Sequence, residues 1–540
     1  MANIAKTPGD KKAGTSKTTL NSTEVTDNTK RWVLVATILG SSMAFIDGTV
    51  VNVALPVLQT DLKATTSEVQ WVVEAYALFL AALVLVGGSL GDHFGRRRVF
   101  AIGVGLFAIA SAACGLAPNI TFLILARAVQ GVGGALLVPG SLAIISATYP
   151  NKERGRAIGT WSGFTTITTV LGPVLGGWLI ENISWRAIFF INLPMAAIVL
   201  TVIFWRVPES RDEEAAAKKL DWPGAVLATF GLGAVVYGLI QAGSSGLGSP
   251  DVLAFLVVGV LALAGFIVVE ARSAAPMMSL ELFKSRTFSG TNLLTLLLYA
   301  ALGGLTFFLP FNLIQVQGYS TTAAGAAFLP FIAIMFTLSR WSGGLVARYG
   351  AKLPLVVGPT IAAVGFGLYA LPGIGGSYWT TYFPAIVVLG LGMAITVAPL
   401  TTTVMGAVDA RHSGVASGIN NAVSRTAGLL AIAVLGIFVL ASFGGNLDSR
   451  ISSLQVPTQV KQDLETQKIK LAAAEVPTSA SPELRPAIKQ AINEAFIDSF
   501  RLVAYITVGL ALASALSAWW LVESKSVRSP AKEKALSGEG

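Results

Sequence analysis

The sequence is short of the residues that most soluble chemistry needs. One cysteine, Cys114, excludes an intrachain disulfide, and two histidines, His93 and His412, cannot supply a histidine-rich metal centre. Charged residues make up only 12% of the chain, about half of what soluble domains carry. Neither a Gly-Lys-Thr phosphate loop, nor a zinc-binding His-Glu pair, nor a nucleophile with a matching base stands in the sequence. The expectation is a protein without cofactor, metal or ATP, and not an enzyme.

What is present is apolar surface. Of 540 residues, 53% are apolar, and the mean hydropathy is +0.68. That is more than a soluble core can hide, so lipid must solvate much of it. Apolar spans fall at 32–58, 69–90, 98–117, 120–148, 157–180, 186–206, 221–243, 251–270, 288–316, 323–347, 353–372, 378–404, 414–443 and 497–521. These fourteen segments predict an all-α polytopic membrane protein. The net charge of +9 is spread in short basic clusters between spans, which fits positive-inside anchoring better than nucleic-acid binding.

Lys and Arg concentrate after the second, fourth, sixth, eighth and tenth spans, as in Arg96-Arg97-Arg98 and Arg154 with Arg156, while the alternate loops are nearly bare. Those basic loops are expected in the cytosol with both termini. Residues 1–31 and 526–540 read as polar cytosolic tails, the first disordered. Residues 445–495, of mixed charge and helical periodicity over 458–473 and 483–495, read as an outer helical hairpin.

Three pieces of the first half recur in the second at nearly one offset. Gly88-Ser89-Leu90 with Phe94-Gly95 matches Gly343-Gly344-Leu345 with Tyr349-Gly350. Leu55-Pro56 before Thr65-Thr66 matches Leu309-Pro310 before Thr321-Thr322, and Gly155–Gly159 matches Gly414–Gly418. The expected organisation is a six-helix bundle over 32–206, two inserted spanning helices over 207–287, and a second six-helix bundle over 288–525 that includes the outer hairpin. Parallel repeats of this kind belong to transporters that bind cargo between the halves.

The segment Gly88-Ser89-Leu90-Gly91-Asp92-His93-Phe94-Gly95-Arg96-Arg97-Arg98 resembles the loop signature of the major facilitator superfamily. Its Asp92 can pair with Arg96 one turn on, and with Gly88 and Gly95 these residues form a candidate conformational latch. Ala347 replaces the acid in the second copy. Phe45-Ile46-Asp47-Gly48-Thr49-Val50-Val51-Asn52-Val53-Ala54-Leu55-Pro56, Arg127-Ala128-Val129-Gln130-Gly131, Trp185–Pro194 and Leu220–Gly224 together resemble the fourteen-helix drug:proton antiporters of that superfamily. Gly159, Gly172, Pro173, Gly176 and Gly177 are similar to the family's antiporter motif, a hinge or tight seam. Thr168 departs from it where the family has a middle glycine. The resemblance covers about residues 32–525 and implies the major facilitator fold.

Charge inside a span is costly, about 2.5–3.5 kcal/mol on insertion scales, and marks function by default. At 1.5 Å rise per residue, Asp47, Glu74 and Arg127 lie ~16, ~8 and ~10 Å from the outer ends of their spans, at comparable depth. A buried acid beside a guanidinium can bind a proton or a cationic cargo but cannot favour both at once. The resemblance implies proton or drug handling for acids at these two positions and coupling for the arginine. Arg425 is a candidate partner from the second half. Structural roles remain open alternatives: a hydrogen-bonded pair for Asp47 and an interfacial position for Glu74. The reading is a proton-coupled exporter of amphipathic, drug-like compounds in the cell membrane, acting as a monomer by alternating access. Export of an endogenous metabolite, proton-linked uptake, and a membrane enzyme or receptor stand as alternatives.

Overall fold

A computed structural model of the chain describes residues 26–211, 221–273, 276, 278–408 and 413–524. Residues 1–25 and 526–540 of the expected tails lie outside these, as do Lys218, Lys219 and His412. Among the described residues there are helices and no strands.

The helices are α1 (Asp27–Asp61), α2 (Thr66–Phe94), α3 (Arg96–Gly115), α4 (Ile120–Thr148), α5 (Asn151–Asn182), α6 (Ala187–Phe190), α7 (Asn192–Arg206), α8 (Trp222–Ser245) and α9 (Pro250–Arg272). There follow α10 (Arg286–Phe311), α11 (Thr321–Ala326), α12 (Leu329–Gly343), α13 (Leu345–Tyr349), α14 (Lys352–Leu368), α15 (Tyr378–Gly406), α16 (Ser413–Ser453), α17 (Thr458–Gln467) and α18 (Arg485–Leu521). Local chemistry sets several starts. Thr65 and Glu68 form a reciprocal capping box at α2, Asn119 caps α4, and Asp221 caps α8 ahead of Pro223. After Pro310, which has no backbone donor, the helix widens into a π turn over Asn312–Val316.

Twelve helical segments among the described residues are long and apolar enough to cross a membrane. The other two expected spans coincide with α5, which is rich in Gly and Thr, and with α14, which has 17 residues. Membrane-facing surface is plain on α9, where Val257, Val260 and Leu261 are exposed. The 445–495 region is helical, with a difference from expectation. Helix α17 and a 3-10 turn over Lys468–Ala473 form one arm, while 485–495 is simply the start of α18.

Helices α1–α7 pack as one group and α10, α12–α16 and α18 as another, while the short α11 lies mainly against α5; α8 and α9 pack on each other, and α8 also lies against α2 and α16. The groups meet at the end distant from the chain termini. There Gln315 donates to Gln59 at 3.2 Å, Gln59 donates to the Lys470 carbonyl at 3.2 Å, and Thr321 donates to the Gly177 carbonyl at 2.9 Å. Gln70 reaches the Ile432 carbonyl at 3.2 Å. Toward the terminus end the contact between α2 and α16 gives way to a cavity of about 380 Å³, lined among others by Ala81, Ala228, Asn292 and Val423.

Candidate functional site

Close packing of α2 on α4 makes the site possible. A Cβ on Gly131 or Gly87 would collide with the backbone carbonyl of Tyr76 or Ala135, so only glycine admits this approach. One turn before Gly131, Arg127 is 1% exposed, and Asp47 on α1 is 0% exposed. The two form an ion pair, Arg127 Nη1 donating to Asp47 Oδ2.

Gln130, one turn beyond Arg127 on the same face of α4, closes the arrangement. Its Nε2 donates to Asp47 Oδ1 at 2.8 Å, and its Oε1 accepts from Arg127 Nη1 at 2.7 Å. Arg127 Nε donates to the Val72 carbonyl of α2 at 3.0 Å, and its guanidinium stands 4.2 Å from the Tyr76 ring centroid. A second tier holds Gln130, which also donates to Ser111 Oγ at 3.3 Å. Asn192 donates to Ser111 Oγ at 3.0 Å, and Ser111 donates to the Phe189 carbonyl at 2.9 Å. A buried ion pair is tolerable when such bonds occupy its remaining lone pairs and protons, and removing one partner then costs about 3–5 kcal/mol.

Glu74 is fully buried too but stands apart. Helical register puts it between Gln70, which bonds α16, and Leu78, which packs with Val236 of α8 and Leu429 and Ala433 of α16. Neither of its carboxyl oxygens has a hydrogen-bond partner among the described residues. A charge there would stand unpaired in an apolar seam, a cost that a neutral carboxyl largely avoids. The interfacial position considered for Glu74 is not what the structure shows. Arg425 donates from Nε to Asn421 Oδ1 at 2.9 Å on its own helix and lies within electrostatic reach of Tyr76. No ion pair joins it to Asp47 or Glu74 among the described residues.

The latch residues gather at the terminus end. Asp92 Oδ1 accepts from Arg96 at 2.8 Å, and Gly95, at φ 106°, makes the turn between α2 and α3. Glu209, just past α7, accepts from the backbone N–H of Arg97 at 2.9 Å and of Arg98 at 3.3 Å, where an anion suits the start of α3. A side chain on Gly95 would run into that carboxylate. Gly88 lies inside α2 in ordinary contact with Pro139, so it makes no turn.

The antiporter-motif glycines divide into separate contacts. Gly172 and Gly176 let α5 press on Thr49 and Val50 of α1, whereas Gly177 meets the Thr321 backbone and Gly325 meets the Pro173 carbonyl across the two helix groups. A Cβ on Gly159 would meet nothing. Among the described residues no group of three or more His, Cys, Asp or Glu is placed to hold a metal.

Charge in an apolar span exposed Asp47, Arg127 and Glu74 in the sequence, whereas Gln130, Ser111, Asn192 and Glu209 carry no such mark. The i, i+3 spacing of Gln130 from Arg127 was the available signal.

The fold and this buried site define a membrane transporter. Residues 37–432 match the Major Facilitator Superfamily, and the chain belongs to that family. It is 33% identical over 486 residues to the tetracenomycin C resistance and export protein of Streptomyces glaucescens, covering 89% of this chain and 90% of that one. It is 36% identical over 442 residues to the multidrug resistance protein Stp of Mycobacterium tuberculosis, covering 81% and 80%. Among solved structures, a bacterial homologue of the lysosomal transporter Spinster, inward-facing and occupied, aligns with a TM-score of 0.64 at 20% identity, over 94% of this chain and all of that one. The chain is a multi-pass cell-membrane transporter, not an enzyme.

Proposed function

We propose that this protein exports amphipathic drug-like molecules in exchange for protons by alternating access. Relatives named for resistance to tetracenomycin C, puromycin and lincomycin support the cargo class. In this reading all fourteen helical spans cross the membrane, both termini are cytosolic, α8 and α9 are inserted between two six-helix bundles, and a monomer suffices. The closed far end is then the outer face, and the described conformation opens inward.

The observation that carries the proposal is the buried Asp47–Arg127 pair, because an acid with one cationic partner is the group best placed to exchange a proton when the bundles move. Protonation of Asp47 removes the charge that Arg127 answers and leaves Gln130 and Val72 as its partners, which changes how α1 sits on α4. Each elementary charge entering along the membrane potential supplies about 2.3 kcal/mol per 100 mV to drive export. Glu74 is a second acid in the seam between the bundles. The Asp92–Arg96 pair, with Glu209, holds the inner loop, and the α5 glycines allow the bundles to close at the outer face.

Inside-out vesicles with an imposed proton gradient test this. Adding cargo should collapse part of the gradient, and Asp47→Asn should reduce that response by about tenfold or more while the protein remains in the membrane. Undiminished exchange in Asp47→Asn contradicts the proposal.

A further inference from the structure

A cavity of about 180 Å³ lies between the two helix groups, apart from the Asp47–Arg127 network. Its first wall is Thr49, Asn52 and Val53 of α1 with Pro173 of α5. The opposite wall is built from α10, the α11–α12 junction, α14's end and α15, and presents Phe328, Phe331 and Tyr369. Leu302, Leu305 and Leu389 complete it, and among the described residues no charged one lines it.

Two further polar residues line this apolar space, Asn52 from the first helix group and Thr306 from the second. Asn52 and Thr306 are both partly buried, and among the described residues neither side chain has a hydrogen-bond partner, whereas Thr49 spends its hydroxyl on the Phe45 and Ile46 carbonyls. A partly buried amide and hydroxyl left unpaired in an apolar enclosure are suited to an occupant that satisfies them. Charge in that occupant would find no counterion. Asp47 already uses one oxygen for Gln130 and the other for Arg127, and Glu74 sits in the α2–α16 seam. An unpaired cation would therefore bear the full cost of desolvation.

Resting on the exporter reading, we propose that this cavity seats an uncharged fused-ring portion of the cargo, hydrogen-bonded by Asn52 and Thr306 and stacked among Phe328, Phe331 and Tyr369. The volume fits that assignment. Drug-sized pockets run about 300–1,000 Å³, while a dry cavity of about 150 Å³ takes a benzene ring, so this space holds part of a drug. The proton site and the cargo site are then separate. They communicate through α1, which carries Asp47 one and a half turns before Asn52, and direct competition for one carboxylate is not required.

The test is equilibrium binding to the purified full-length protein in nanodiscs, with no gradient, so that its outcome is independent of whether transport is proton-coupled. The probe is prodan, a neutral naphthalene ketone, with binding to empty nanodiscs subtracted. Saturable binding is expected. Asn52→Leu and the nearly isosteric Thr306→Val should each raise Kd by about tenfold, the worth of one well-placed hydrogen bond, and Leu305→Trp should abolish binding by filling the space. A naphthyl trimethylammonium cation should bind more weakly than prodan. The proposal is overturned if prodan does not saturate the parent, if Asn52→Leu and Thr306→Val leave Kd unchanged, or if the cation binds as tightly.

Discussion

Gln130 turns a simple buried pair into a ring, since one amide both donates to Asp47 and accepts from Arg127. Hydrogen bonds to charged groups are worth about 1.5–3 kcal/mol, so Gln130→Leu should lower thermal stability measurably and slow exchange, with a differential scanning readout for the first and vesicle transport for the second. A Gln130→Leu protein with parental stability and exchange would remove the ring from the account. At this scale the sequence showed the ionised members clearly, because a charge among apolar neighbours needs a reason. It hid the neutral members. Ser111, Tyr76 and Asn192 are common residues in spanning helices, and only packing of α2 and α3 on α4, and of α7 on α3, brings them to the pair. Glu74 was equally visible, but its place in the α2–α16 seam depends on which face of α2 meets the second helix group, and hydropathy alone does not decide that.

The glycine-rich α5 shows how an element can serve two seams at once. Gly172 and Gly176 fix it to α1, while Gly177 and Gly325 permit a backbone-to-backbone approach between α5 and α11. The motif was legible as a seam; its division between a contact inside one group and a contact across two was not, since glycine spacing does not name the partner helix. Gly325→Val should hold the far end apart. Spin labels on Asn182→Cys and Ala323→Cys, clean because Cys114 is buried, should show a longer distance in that variant than in the parent; equal distances would contradict the seam. The same end carries a pH dependence. Glu181 accepts from the Thr322 backbone N–H at 3.2 Å, and hydrogen bonds from Thr322 and Ser320 hold its carboxyl below the usual value of 4.5. A depressed value means that this link contributes above the ordinary carboxylate range and is lost as pH falls through the lowered value. Acidifying the medium at this end through that range should therefore lengthen the spin-label distance, and Glu181→Gln should remove the step.

On the scale of the molecule, the proposed exchange makes the closed far end, the cavity toward the termini and the buried ion pair one of two alternating states. Apolar runs located the twelve segments long and apolar enough to span, and also the helices α5 and α14, whose Gly and Thr content or shortness makes them weaker signals. The cavity with Asn52 and Thr306 could not be foreseen, because it exists only where the two groups face each other. The proposed proton coupling requires Asp47 to change its ionisation between those two states. Infrared difference spectroscopy between protein cross-linked with its far end closed and protein cross-linked with its terminus end closed measures that change directly. A protonated-carboxyl band should differ between the two states and disappear in Asp47→Asn; identical spectra, or a band that survives the substitution unchanged, would contradict proton exchange at Asp47.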